Sequence, residues 1–304
     1  MTVPALVLRA PGTNCDAETA YALERAGATA TTLHLMRLIE RPALLDEARI
    51  VVIPGGFSFG DDLAAGRVFA TRLTRALGGR LRDFAEGGGL ILGICNGFQV
   101  LLRTGLLEPA TVPASVPGAT ASLSSSAPAT GYGPGWDTAG QASSGTQRNV
   151  SFTESEVPAA TLTWNTSGRY TDRWVHLRTV AGHRCVVLAG IDRLELPIAH
   201  AEGRFVVRDE PTAAALDDAG QLVLRYVEPE LAGTGQAGPG LPYNPNGSTR
   251  NVAGLCDATG RIFGLMPHPE RYLDRLHHPR WTRGEGRDPG DGLQLFVNAV
   301  EHFA

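Results

Sequence analysis

Three short apolar runs, residues 5–10, 49–54 and 90–94, each break off into a polar or Gly-rich loop and are followed by a helical pattern. This alternation restricts the chain more than any other feature. A strand that is apolar on both sides must be covered on both faces, and strands that alternate with helices are the mark of a parallel sheet. The reading places a helix over about 17–27, a second strand near 29–35, a helix around 42–48 and a long helix over about 67–86. A further helix should start directly after Cys95. With 304 residues the chain is long enough to bury a substantial core.

From about residue 109 the composition shifts to Ala, Ser, Thr, Gly and Pro with few charges, too little apolar periodicity to offset the entropy of ordering. One domain over 1–304 is therefore expected, with a flexible insertion at about 109–160. Alternating patterns return at 162–165, 173–180, 185–189, 196–199 and 204–208, which reads as an antiparallel or mixed extension of the sheet. A second Gly/Pro-rich loop follows at 233–245. A hairpin then joins 252–256 to 261–266, and an amphipathic helix at 292–302 closes the chain. The expected fold class is α/β, a doubly wound and mostly parallel sheet with an antiparallel extension.

Several function classes drop out on composition. A net charge of -4 without any Arg-rich block leaves no footprint for nucleic acid. No apolar run approaches the roughly 20 residues that cross a bilayer, and the N-terminus lacks the regions of a signal peptide, so the expected location is the cytoplasm. The 4 cysteines, Cys15, Cys95, Cys185 and Cys256, are scattered without a C-x-x-C pair, so a reduced compartment and no metal site are expected. All 27 basic residues are arginine. That excludes a Walker A phosphate loop and a Schiff-base lysine alike.

The chemistry concentrates in Gly93-Ile94-Cys95-Asn96-Gly97, where an apolar strand meets a helix as in a nucleophile elbow. The helix N-terminus behind Cys95 favours the thiolate. Backbone N–H groups must face the negative charge that an attacked carbonyl would develop, and Asn96 N–H is one candidate. The other is Gly56 or Phe57 N–H, because loops after neighbouring parallel strands gather at one sheet edge. Gln99, one helical turn after Cys95, either faces the same pocket and binds a polar substrate or is a solvated helix residue. A nucleophile also needs a base and an orienting group. Two pairs qualify, His200 with Glu202 and His268 with Glu270, since residues two apart in extended chain project to one side. The second pair is preferred because Pro267 and Pro269 bracket His268 and restrict its backbone. His200 reads first as a strand-end histidine. Asp61 and Asp62 read as helix caps, and Cys15 as loop packing or a second reactive thiol.

Taken together, residues 54–61 (Pro-Gly-Gly-Phe-Ser-Phe-Gly-Asp), 93–99 (Gly-Ile-Cys-Asn-Gly-Phe-Gln) and 266–271 (Met-Pro-His-Pro-Glu-Arg) resemble the class I glutamine amidotransferases. Within that family they are similar to the glutaminase subunits of phosphoribosylformylglycinamidine synthase. The resemblance implies a flavodoxin-like glutaminase with Cys95 as nucleophile, His268 as base and acid, and Glu270 orienting the imidazole. It places Gln99 and the Gly56 loop at the bound glutamine. It also implies a large synthase subunit and a small accessory subunit as partners, with ATP and Mg used by the synthase and no cofactor bound by this chain. Two departures from the family pattern are the insertion and the stretch Asp62-Leu63-Ala64-Ala65-Gly66, where other members carry an aromatic and a basic residue. A cysteine hydrolase or peptidase on a related fold, and a non-catalytic regulatory subunit, are the alternatives.

Overall fold

A segment without a polar face ends up inside a sheet, and the apolar runs do so here. In this computed structural model, which describes residues 2–107, 158–229 and 242–304, β3 (Ile50–Ile53) and β4 (Leu90–Ile94) are buried at every position and pair in parallel. β1 (Val3–Arg9) flanks β3, and β2 (Ala28–His34), mostly exposed or half-exposed, forms the edge. The remaining strands are β5 (Ala160–Thr163), β6 (Thr171–Thr179), β7 (Arg193–His200), β8 (Arg204–Val207), β9 (Leu224–Tyr226), β10 (Val252–Cys256) and β11 (Ile262–Leu265). Among the described residues the main sheet has 9 strands in the order β2-β1-β3-β4-β11-β10-β9-β6-β7, and β5 pairs with β8 apart from it.

The first five strands of that order are parallel, and the rest join by antiparallel pairs. Spatial order 2-1-3-4-5 is that of the flavodoxin-like doubly wound sheet. The expected fold class holds, and β10, β9, β6 and β7 form the antiparallel extension. Helices α1 (Asp16–Arg25), α3 (Arg67–Glu86) and α4 (Asn96–Arg103) follow β1, β3 and β4 as the alternation requires. The apolar stripe of α3, Phe69, Leu73, Leu77, Leu81 and Ala85, is buried at the four-residue spacing of a half-covered helix. The helix α6 (Leu293–Glu301) ends the chain.

Three local expectations are corrected. The helix placed at 42–48 instead forms immediately after β2 as α2 (Leu35–Glu40), with the His34 side chain accepting from Met36 N–H at 3.2 Å. Pro42 forces Arg41 out of the helical region (φ -131°, ψ 72°), so only the short 3-10 turn Pro42–Leu45 follows. The apolar run at 185–189 is no strand but the 3-10 turn Val186–Leu188, since so short a run does not fix its own conformation. Helix α5 (Glu210–Asp218) was unexpected. Its signals are Asp209, whose carboxylate caps Thr212 N–H at 2.7 Å, and a proline in the first turn. Its apolar face is mostly alanine, which gives little periodicity.

The insertion expected at about 109–160 falls outside the described residues as far as position 157, as does most of the 233–245 loop. Among the described residues no helix is long and apolar enough to cross a membrane.

Candidate active site

Cys95 occupies the junction between β4 and α4 with φ 52° and ψ -107°. A positive φ at a non-glycine residue costs on the order of 1–3 kcal/mol and persists only where the surroundings enforce it. The enforcement is visible. Cys95 N–H donates to Leu265 O of β11 at 2.8 Å, and its carbonyl accepts from Phe98 and Gln99 N–H at 3.0 and 3.2 Å. The flanking glycines serve close approach rather than unusual torsion. A Cβ on Gly97 would lie 1.8 Å from Ile53 O, and one on Gly93 2.6 Å from Gly97 O. The thiol is buried, its Sγ 3.7 Å from Ala199 O.

Beside the elbow the loop after β3 is tied down from two sides. Phe57 N–H donates to Gly12 O at 2.9 Å, so of the two donors considered in this loop only Gly56 N–H is left without an acceptor among the described residues. Gly56 has φ 144°, and a Cβ there would meet Gly12 O at 2.7 Å and Asn14 N at 2.8 Å. Asn96 is the other tie. Its Oδ1 accepts from Ser58 N–H at 3.2 Å, and its Nδ2 donates to Asp61 Oδ1 at 3.1 Å and to Gln99 Oε1 at 2.8 Å. Asp61 also accepts from Gly66 N–H at 3.0 Å, so it fixes the loop before α3 rather than capping that helix's first turn. The Gln99 amide is engaged at both ends, because Nε2 donates to Glu202 O at 2.6 Å. In this state Gln99 braces the site.

His268 and Glu270 meet across 2.6 Å between Nδ1 and Oε1, both side chains buried. The histidine is held by its backbone N–H on Pro197 O at 2.9 Å and by the turn Pro269–Arg271. A Cβ placed on Gly55 would lie 2.8 Å from His268 Cε1 and 3.5 Å from Cys95 Cβ. Imidazole and thiol thus share one small space at the carboxyl edge of the sheet. Burial opposes the charged imidazolium, but the Glu270 carboxylate and the charge of a Cys95 thiolate outweigh it and hold His268 well above the usual imidazole range. With Nδ1 on the carboxylate, the remaining nitrogen, Nε2, has no hydrogen-bond partner of regular geometry among the described residues.

The second histidine pair does not form. His200 Nδ1 faces Asn165 Oδ1 at 3.1 Å, and Asn165 Nδ2 returns to His200 O at 2.9 Å. Burial first, and the nearby His268 charge second, push His200 down to about 3, so its ring is neutral near pH 7. Glu202 turns instead to Ala65 N–H and the charge of Arg103, while burial pushes its carboxyl up.

Two neighbours were not singled out for this site. Cys15, read as loop packing or a second thiol, lies against the imidazole with Sγ 4.0 Å from Nδ1, and the Arg271 guanidinium donates to that sulfur at 3.1 Å. Burial pushes the Cys15 thiol up. Cys15, His268 and Glu270 present ligand atoms within 4.8 Å of one another, the type of grouping that can hold a metal ion. The Arg271 charge opposes a cation there. Tyr170, half exposed, has its phenol pushed up by burial and then by the charge of Cys95. No spacing in the sequence joins residues 15, 95, 170 and 268.

The CobB/CobQ-like glutamine amidotransferase domain matches residues 2–125 and 146–303. The chain belongs to this family. A relative from Dehalococcoides mccartyi named phosphoribosylformylglycinamidine synthase subunit PurQ is 39% identical over 299 residues, covering 98% of this chain and 97% of that one. A protein of the same name from Methanococcus maripaludis is 37% identical over 308 residues, covering 98% and 96%. A solved structure described as PurLQS from Thermotoga maritima superposes with a TM-score of 0.65 and 26% identity over the full length of both chains. These relatives favour neither a peptidase nor a non-catalytic subunit.

Proposed function

We propose that this chain, a glutamine amidotransferase, is the glutaminase subunit of a phosphoribosylformylglycinamidine synthase and forms glutamate and ammonia through a Cys95 thioester. The observation that carries the chemistry is the buried His268–Glu270 pair, 2.6 Å apart, beside the strained elbow at Cys95. The identity of the acceptor subunit is inferred from relatives named PurQ that the chain covers almost end to end.

In the proposed reaction the Cys95 thiolate attacks the side-chain carbonyl carbon of glutamine. Gly56 and Asn96 N–H, both without acceptors among the described residues, hold the oxyanion, each worth roughly a hundred- to a thousandfold in rate. The imidazolium of His268 gives its Nε2 proton to the departing nitrogen, and ammonia leaves as the carbon–nitrogen bond breaks. A glutamyl thioester remains. Neutral His268 then takes a proton from water, whose oxygen attacks the thioester, and glutamate and the thiolate are released. Glu270 holds the ring with Nδ1 as donor throughout.

Ammonia passes to a synthase subunit that uses ATP and Mg, chemistry this lysine-free chain cannot provide through a Walker A loop. A small accessory subunit completes the proposed complex, which works in the cytoplasm. The chain itself is one amidotransferase domain with an insertion at about 109–160. The test is a glutaminase assay with and without candidate synthase subunits and their nucleotide substrates. Cys95→Ala should abolish glutamine use and leave ammonia-driven synthesis by the complex intact. Glutamine hydrolysis by that variant would overturn the reading.

A further inference from the structure

Strand β6 begins opposite His200, at Thr171, and runs away from the candidate active site to Thr179. Near its far end Arg178 stands directly opposite Arg193 of β7 on one side and Arg225 of β9 on the other. Directly paired positions place their side chains on one face, so three guanidiniums form a row across three adjacent strands. Opposed like charges destabilise a sheet, and arginine cannot relieve the repulsion by losing its proton. Each arginine of the row has a carboxylate partner, and two of them share one. Asp192, largely exposed, is shared by Arg178 and Arg193 at 3.4 Å from each. Asp217 is shared by Arg225 at 2.6 Å and Arg250 at 2.7 Å, and Arg250 also pairs with Glu210.

A cavity of about 990 Å³ opens beside the row, lined on its polar side by Arg178, Arg225, Arg184 and His183 with Asp192 and Glu301. Val180, Val186, Ile191 and Val227 supply apolar wall. Three buried nitrogens of this lining, Arg178 Nη1, Arg225 Nε and His183 Nδ1, have no hydrogen-bond partner among the described residues. Buried polar atoms are seldom left so, because each forfeits the hydrogen bonds it would make in water, a loss larger for a charged group. Burial holds His183 below the usual imidazole range, so its ring is neutral near pH 7.

We propose that this cavity binds an organic phosphate of about nucleotide size, with the phosphate between Arg178 and Arg225 and the organic body against the apolar wall. Guanidinium groups match phosphate oxygens in a planar, two-pronged fashion, which supplies acceptors to the orphaned arginine donors and adds negative charge beside the row. The volume is that of a small-molecule pocket rather than of a bare ion site, and the concave, partly apolar lining suits such a molecule better than an acidic polypeptide. The site is separate from the Cys95 centre, and the inference does not depend on the glutamine reaction.

Calorimetric titration of the full chain with adenosine 5′-monophosphate, adenosine and poly-glutamate tests it. The monophosphate should bind at least about tenfold more tightly than adenosine, a difference of about 1.4 kcal/mol. Arg178→Gln and Arg225→Gln should each weaken the monophosphate by about tenfold or more. Arg178→Gln should meanwhile keep or raise the melting temperature in phosphate-free buffer, because one of three opposed charges is gone. A merely structural arginine would give the reverse, a lower melting temperature and unchanged binding. The proposal is overturned if the phosphate adds nothing over adenosine, if neither substitution weakens binding, or if poly-glutamate binds where the monophosphate does not.

Discussion

Residues 198–203 and 266–271 both contain histidine and glutamate two positions apart, yet only the second segment joins them. In the first, the chain leaves β7 at His200 and turns, so the spacing that would align two side chains in a strand no longer applies. His200 finds Asn165, and Glu202 reaches Ala65 and Arg103. In the second, two prolines and the turn Pro269–Arg271 bring imidazole and carboxylate to 2.6 Å. The charge consequences are opposite. His268 is held charged by its carboxylate, whereas His200, with no carboxylate partner, is pushed down to about 3 by burial first and by the His268 charge second. Spacing nominates a pair, and the backbone between its members decides whether it exists.

Exchanging the two histidines is the strongest way to break this contrast. His268→Ala should lower the rate of glutamine hydrolysis by about 10⁴-fold, the upper range for a general base, while His200→Ala should stay within about tenfold of the parent. Equal losses, measured by steady-state glutamate release, would mean that both rings take part. The carboxylates come next. If Glu270 acts through the ring it pairs with, Glu270→Gln should cost on the order of a hundredfold, and Glu202→Gln no more than about threefold. Steady-state kinetics on purified variants check both.

A pH measurement sharpens the electrostatic half. A folded-state value raised above the unfolded one contributes stability that is fully present below the ordinary imidazole range, about 6.5, and is lost as pH rises through the raised value. Urea midpoints of the parent should therefore fall across that window, and those of Glu270→Gln should fall less, since the largest favourable charge is removed. A steeper fall in the variant would contradict the assignment. The smallest effect concerns His200 packing. A Cβ at Gly203 would lie 2.2 Å from the His200 ring, so Gly203→Ala should lower stability by about 1–3 kcal/mol, read as a drop in melting temperature. An unchanged melting temperature would show that the ring is free to move.

What the sequence made legible was local. An apolar run ending in Gly-x-Cys-x-Gly placed the elbow, and alternation of strands and helices placed the parallel half of the sheet. Contacts between distant segments stayed hidden, because no periodicity ties Cys15 to His268 or Asn165 to His200. Gln99 shows the same limit. Its spacing correctly put it in a helix beside Cys95, but its partner, Glu202 O, comes from a turn 103 positions on. The helix α5 escaped because alanine carries little apolar signal, although its capping aspartate and proline were readable.

The central claim is that Cys95, and not its buried neighbour Cys15, carries the acyl group. Acid quenching of the enzyme during turnover of radiolabelled glutamine, followed by peptide mapping, measures this directly. The account predicts a label on the peptide containing Cys95, in thioester linkage, that accumulates when His268 is replaced by a residue that permits acylation but slows hydrolysis. Label on the Cys15 peptide, or turnover with no covalent species in wild type or variant while Cys95→Ala retains activity, would contradict it.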